Sequence, residues 1–140
     1  MEIVSFEIAQ KLKEKGFREK CLTYYDVDDN VGLLYNTQYS DEMLPCQYTD
    51  LLMSHNTSEG RQPDDSDNCV DAPTISQVLK WLRKEKNLHI TLDVGTSRYW
   101  FWIAWNIEAD PLDLSIGYEM YQSYEQAALA GIEYVLDNLI

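Results

Sequence analysis

Basic residues are scarce in this chain of 140 residues. Lys and Arg number 11 against 24 Asp and Glu, which gives a formal net charge of −13. The imbalance is greatest in residues 26–71, where eleven acidic residues accompany one base, Arg61. Non-specific affinity for nucleic acid comes from cationic side chains that neutralise phosphates. The charge map therefore argues against a nucleic-acid partner and leaves a protein partner as the expectation.

Long apolar runs are missing, and cysteines are few. No segment approaches the roughly 20 apolar residues of a membrane span, and residues 1–17 carry acids where a signal peptide needs bases. We therefore expect a cytoplasmic protein without a membrane partner. The three cysteines, Cys21, Cys46 and Cys69, are odd in number and widely spaced, so we expect reduced thiols rather than disulfides.

Sequence signatures of catalysis and of metal binding are absent. The chain has no G-x-S-x-G, H-E-x-x-H, P-loop or G-x-G-x-x-G pattern. We expect no catalytic residues, no cofactor and no enzymatic activity. The soft metal ligands besides Cys21 lack the closely paired spacing of structural zinc sites, so we expect no metal site; they are Cys46, His55, Cys69 and His89.

The segment Asp26–Gly32 resembles the start of a calcium-binding loop, with acids at its first and third positions. The glycine required at the sixth position is replaced by Val31, and the twelfth position is Thr37 rather than a bidentate Glu. A hairpin turn is therefore the favoured interpretation. The acidic cluster at residues 64–68 also lacks the glycine and the distal Glu, and is interpreted as a solvated loop.

The first 35 residues predict a helix followed by a hairpin. Ser5 is a candidate N-cap for a helix over residues 5–15, and Gly16 followed by Phe17 is typical of a helix C-terminus. The hairpin is predicted from two β-prone segments on either side of a turn-rich stretch, Cys21–Tyr25 and Val31–Tyr35.

The remaining residues divide into an insert and a regular C-terminal half. Residues 36–72 show little periodicity and predict an acidic, loop-rich insert. Residues 73–140 predict the order α-β-β-β-α. Capping boxes mark the two helix starts, at Thr74–Gln77 and Ser123–Gln126, with helix ends near Lys86 and Leu139. Alternating apolar residues predict three strands, His89–Val94, Arg98–Glu108 and Ser115–Tyr121.

Short connections between these strands predict an antiparallel meander. Both helices would then cover one face of the sheet. The predicted fold class is α+β, a two-layer sandwich with an antiparallel sheet and helices on one face. We expect a single domain over residues 1–140, made of a helix and hairpin at 5–35, the insert at 36–72 and the α-β-β-β-α unit at 73–140.

Trp100 and Trp102 lie on the face of the longest strand opposite Phe101 and Ile103, because side chains alternate along a strand. If the helices cover the Phe101 face, this pair is either covered by the N-terminal segment or the 36–72 loop, or left open. In the open case Trp100 and Trp102 would form a partner surface. We expect the covered case and keep the pair as the possible partner surface.

The α-β-β-β-α order of residues 74–139 resembles the double-stranded-RNA-binding fold at the level of topology. That family binds phosphates with basic residues at the start of its last helix. The matching residues 123–128 contain no Lys or Arg, so no RNA binding is carried over.

The segments APTISQVLKWLRKEKNLHI and YQSYEQAALAGIEYVLDNLI resemble a family of small proteins from gut-bacterial genomes, often in a phage-like or mobile-element context. The resemblance implies a small cytoplasmic protein, and its motifs are helix caps and apolar stripes rather than chemical groups.

These observations lead to one main hypothesis and two alternatives for function. The main one is a non-catalytic cytosolic protein-interaction or accessory protein of a phage-like or mobile element. The first alternative is an acidic nucleic-acid mimic that inhibits a DNA-handling protein, which needs the acids of residues 26–71 on one rigid ridge. The second is a small enzyme with an unrecognised site. The sequence leaves the partner and the oligomeric state open.

Overall fold

A computed structural model describes residues 2–26, 32–35, 69–109 and 113–140, with the backbone only at residues 26, 32–35 and 69. These residues belong to two compact units. One lies within residues 3–74, and the other comprises Ile75–Ile140 together with the first residues of the chain. Whether the whole chain forms the single domain expected from the sequence stays a prediction. The fold is α+β with antiparallel sheets.

The first unit begins with helix α1, Phe6–Glu14. The Ser5 hydroxyl accepts a hydrogen bond from the Ile8 backbone N–H at 3.3 Å, which caps the helix start. The helix ends where Gly16 adopts a φ of 89°, and the Phe17 N–H donates to the Leu12 carbonyl oxygen at 2.9 Å. The helix and both of its predicted ends are therefore confirmed.

Three short strands complete this unit: β1 (Thr23–Asp26), β2 (Gly32–Tyr35) and β3 (Cys69–Ala72). β1 is central and pairs antiparallel with both neighbours, so the predicted hairpin is confirmed. The prediction that the loop-rich insert extends to residue 72 is wrong at its end, because residues 69–72 form β3. Strand pairing with β1 overrides the weak local pattern, with Val70 and Ala72 buried at alternate positions. Residues 36–68 of the insert lie outside the described residues.

The second unit contains helix α2, Ile75–Lys86, and helix α3, Tyr124–Asn138. α2 ends at Lys86, and the next residue, Asn87, has a left-handed φ of 55°. The Ser123 hydroxyl accepts a hydrogen bond from the Gln126 N–H at 3.1 Å at the start of α3. Leu139, near which we expected this helix to end, follows directly after it and is 39% exposed.

Between these helices run β4 (Leu88–Val94), β5 (Trp100–Asn106) and β6 (Leu114–Tyr121). They form an antiparallel sheet in the order β4-β5-β6, so the predicted α-β-β-β-α meander is confirmed. β5 is shorter than predicted because Arg98 has a turn φ of 67°. α3 packs against all three strands, and α2 packs against β4 and α3.

Candidate protein-interaction surface

Trp102 is at the centre of the packing between α3 and the sheet. It is 4% exposed, and its ring lies 4.9 Å from the ring of Tyr134, centroid to centroid. A Cβ added at Gly131 would come within 3.0 Å of the Trp102 Cγ. The absence of a side chain at Gly131 therefore lets α3 approach the indole closely.

On the sheet side, the indole of Trp102 lies directly against Gly117 of β6, its cross-strand partner. A Cβ added at Gly117 would overlap the indole ring. The indole N–H is buried, and no acceptor in the described residues is in hydrogen-bonding geometry with it. Burial raises the pKa of the neighbouring Tyr121, and the nearby indole N–H of Trp102 opposes this rise.

Trp102, which we kept with Trp100 as the possible partner surface, is buried, as expected for the covered case. Trp102 is covered by α3, through the close approach at Gly131 and the contact with Tyr134. Trp100 is half-buried, with its ring perpendicular to that of Tyr124 of α3 at 5.5 Å. The helices cover the tryptophan face of β5 because Ala104, Gly117 and the small residues of α3 leave room for the helix there.

The opposite face of the same sheet is left uncovered by the helices, and we call it the open face. The register places every second side chain of each of the three strands on this face. Its positions are His89, Thr91 and Asp93 of β4, Phe101, Ile103 and Trp105 of β5, and Leu114, Ile116, Tyr118 and Met120 of β6.

Exposure on the open face increases from β4 and β5 towards β6. None of its ten positions is buried. Tyr118 and Met120 of β6 are 73% and 71% exposed, and Leu114 and Ile116 are 41% and 37% exposed. Large apolar side chains gathered on one exposed patch are typical of an interaction surface rather than of an ordinary solvated face.

Aromatic contacts order the open face. The ring of His89 lies against that of Trp105, edge to face at 4.8 Å, and the rings of Phe101 and Tyr118 are 6.0 Å apart. Pairs at such distances have a preferred geometry and restrict each other's motion. The patch is thus a set of mutually supported rings across neighbouring strands.

Charges are distributed unequally around this unit. Asp93 is the one Asp, Glu, Lys or Arg among the open-face positions, and the exposed Glu108 and Asp113 lie just beyond the ends of β5 and β6. Four of the five Lys and Arg residues after residue 74 lie instead on α2; they are Lys80, Arg83, Lys84 and Lys86. The open face is therefore apolar in its middle and acidic at several margins.

His89 is the titratable group within the aromatic part of this face. Partial burial lowers the pKa of His89 below its ordinary value, and the positive charge of Arg83 on α2 lowers it further. The imidazole is therefore held neutral at physiological pH, which suits its contact with Trp105.

Only some of the other candidate metal ligands lie within the described residues. In the described part of the chain, no group of three or more His, Cys, Asp or Glu side chains could hold a metal ion. Cys46, His55, the acidic cluster at 64–68 and most of the segment Asp26–Gly32 lie outside the described residues. The buried Cys21 Sγ lies 3.5 Å from the carbonyl oxygen of Glu19.

Comparisons with protein-family models, with curated proteins and with solved structures found no match. Among the described residues, no helix is both long enough and apolar enough to cross a membrane.

Proposed function

We propose that this protein is a non-catalytic interaction protein that binds a protein partner through the open face. The observation that supports the proposal is the continuous surface of apolar side chains across β5 and β6, bordered by β4, which the two helices leave uncovered. Buried aromatic and aliphatic anchors supply most of the affinity at protein interfaces, and this surface presents Phe101, Ile103, Trp105 and Tyr118 on one rigid sheet.

The partner we propose has an apolar centre and a basic rim. The acids Asp93, Glu108 and Asp113 lie at the margins of the open face, and the whole chain carries −13. Complementary charge at an interface rim speeds association and selects against wrong partners. A role as a cytoplasmic accessory protein of a phage-like or mobile element belongs to the same proposal and depends on the sequence resemblance.

A pair of synthetic helical peptides tests this chemistry, one built from Leu and Lys and one from Leu and Glu. We expect the Leu-Lys peptide to bind and to change the fluorescence of Trp105, and the Leu-Glu peptide to bind far more weakly. Ile103→Asp should weaken binding of the Leu-Lys peptide about tenfold, because it places an unpaired charge in the middle of the interface.

The matched control is Lys80→Asp, on the outer surface of α2. It also makes the chain more acidic, so purely electrostatic attraction would strengthen peptide binding in both variants. The proposal requires weaker binding to Ile103→Asp only. Equal affinity of both variants for the Leu-Lys peptide, with unchanged urea midpoints, would contradict it. If the proposal holds, the natural partner should be captured from the host by the wild type and by Lys80→Asp, and should not be captured by Ile103→Asp.

A further inference from the structure

β6 is an edge strand of the sheet. Within the described residues it pairs with β5 on one side, and its outer side has no strand partner. An unpaired edge presents a row of backbone N–H and C=O groups that can accept another strand. We propose that two copies of this chain pair antiparallel through the outer edges of their β6 strands and form one continuous sheet.

The usual protections of an edge strand are largely missing from β6. Its sequence, LSIGYEMY, contains no Lys and no Pro, and natural edge strands use both to prevent pairing. Its one charged residue, Glu119, lies on the helix-covered face of the sheet, because side chains alternate along the strand. There its carboxylate accepts a hydrogen bond from the Tyr121 hydroxyl at 3.3 Å. Between Trp100 and Trp102 the register against β5 shifts, so that Tyr118, Glu119 and Met120 lie opposite Phe101 alone, while Gly117 and Tyr121 on either side of the shift keep the same parity.

When two β6 strands pair antiparallel with Gly117 at the centre, apolar side chains of one copy face apolar side chains of the other. A two-fold axis at Gly117 would place Leu114 opposite Met120 and Ile116 opposite Tyr118 of the second copy. These four are the most exposed apolar side chains on the open face. Each would gain an apolar neighbour directly across the strand pair, which is the contact that stabilises sheets.

Charge disfavours one of the two neighbouring registers of the same parity. A two-fold axis at Ile116 would place Asp113 opposite Glu119, and like charges directly opposite each other destabilise a strand pair. The axis at Gly117 places Glu119 opposite Ser115, whose hydroxyl can donate to the carboxylate, and Asp113 opposite Tyr121. The interface would be isologous, as in most homodimers.

This association does not depend on the proposed function. It uses the outer flank of β6 and leaves the β4 and β5 part of the open face, with Phe101, Ile103 and Trp105, available to a different partner. Because each copy carries −13, long-range repulsion opposes pairing, and salt screens it. Self-association should therefore strengthen as salt is raised, whereas binding of a basic partner should weaken.

Sedimentation equilibrium of the full chain tests the proposal. We expect the mean mass to rise from 16.3 kDa towards twice that value with increasing protein concentration, and to rise further between about 0.15 and 0.5 M NaCl. Ile116→Lys and Tyr118→Glu should each weaken self-association about tenfold. Thr91→Lys, on β4 of the same open face, is the matched control and should leave it unchanged.

Mixing the two variants tests the register. The axis at Gly117 brings Lys at position 116 of one copy opposite Glu at position 118 of the other, so the mixture should recover a heterodimer that neither variant forms with itself. A wild-type chain that remains monomeric at both salt concentrations would overturn the proposal, and so would equal weakening by Thr91→Lys. Failure of the mixed variants to associate would overturn the register.

Discussion

Trp102 shows how two glycines determine the position of a helix. Its indole occupies the space that side chains at Gly117 and Gly131 would fill, so β6 and α3 both approach the ring closely. Small residues on a strand and on a helix face therefore mark the side of the sheet where the helix packs. The same indole carries the buried N–H, which is a cost that its large apolar contact offsets.

We predict that Trp102→Ala lowers the free energy of unfolding by about 3–5 kcal/mol, the usual loss for a large buried aromatic side chain. The ring is 4% exposed, and its removal leaves a cavity between β5 and α3. Urea denaturation measures the change. Trp105→Ala, on the open face, is the control and should cost clearly less, because Trp105 is partly exposed. Equal losses would contradict the assignment of the two faces.

His89 gives a prediction for pH dependence. Its folded pKa is lowered by burial and by Arg83, and its unfolded pKa is about 6.5. As the pH falls through this region, the unfolded chain binds more protons than the folded chain, so stability decreases. The stability from neutral His89 is present above pH about 6.5 and is lost below it. The urea midpoint should therefore drop less on acidification in His89→Gln than in the wild type. An equal drop would count against the lowered pKa.

Helix α3 depends on its N-terminal cap. The Ser123 hydroxyl satisfies the Gln126 N–H, and the Gln126 side-chain oxygen accepts from the Gln122 N–H at 3.0 Å. We predict that Ser123→Ala lowers stability by about 1 kcal/mol. Ser97→Ala, at an exposed position in the turn between β4 and β5, should change the urea midpoint little. Similar effects of the two substitutions would argue that the cap contributes nothing.

The helices and most strands of this fold were predictable because their signals are local. Ser5 and Ser123 are caps that act within one helical turn, and Gly16 supplies a positive φ. β3 could not be predicted in the same way. It has four residues, too few to show a clear period, and it forms because β1 offers a free side for pairing.

The covered face of the sheet could not be predicted by alternation. Both faces of β5 are apolar, with Trp102 and Ala104 on one and Phe101 and Ile103 on the other, and alternation separates these sets without ranking them. The sequence did contain a signal in Gly117 and Gly131, which make room for a helix on the Trp102 side. That signal becomes readable only when the register between β5 and β6 is known, because Gly117 is remote from Trp102 in sequence.

Charge distribution distinguishes the surfaces of the C-terminal unit. Bases lie mainly on α2, whereas α3 begins at Ser123 with Tyr124 and Glu125 and has no base in its last turn. In the double-stranded-RNA-binding fold, which shares the order α-β-β-β-α, the start of this last helix is the phosphate site. Shared element order therefore does not bring the chemistry with it.

We predict that the full chain binds neither duplex RNA nor duplex DNA. Cationic contacts to phosphates supply essentially all non-specific affinity, and a chain with a net charge of −13 repels a polyanion as it approaches. A gel-shift titration at about 150 mM salt should show no complex at protein concentrations up to roughly micromolar. A basic double-stranded-RNA-binding domain is the positive control on the same duplex.

A complex between this chain and the duplex below roughly micromolar concentration would contradict the prediction. It would require a cationic site strong enough to overcome the whole-chain repulsion, and the bases of α2 would then be the first residues to reverse in charge. Lowering the salt further distinguishes a chain with a cationic phosphate site from a chain without one. Affinity for phosphate at such a site rises as the salt falls, whereas in its absence the repulsion between the chain and the duplex increases.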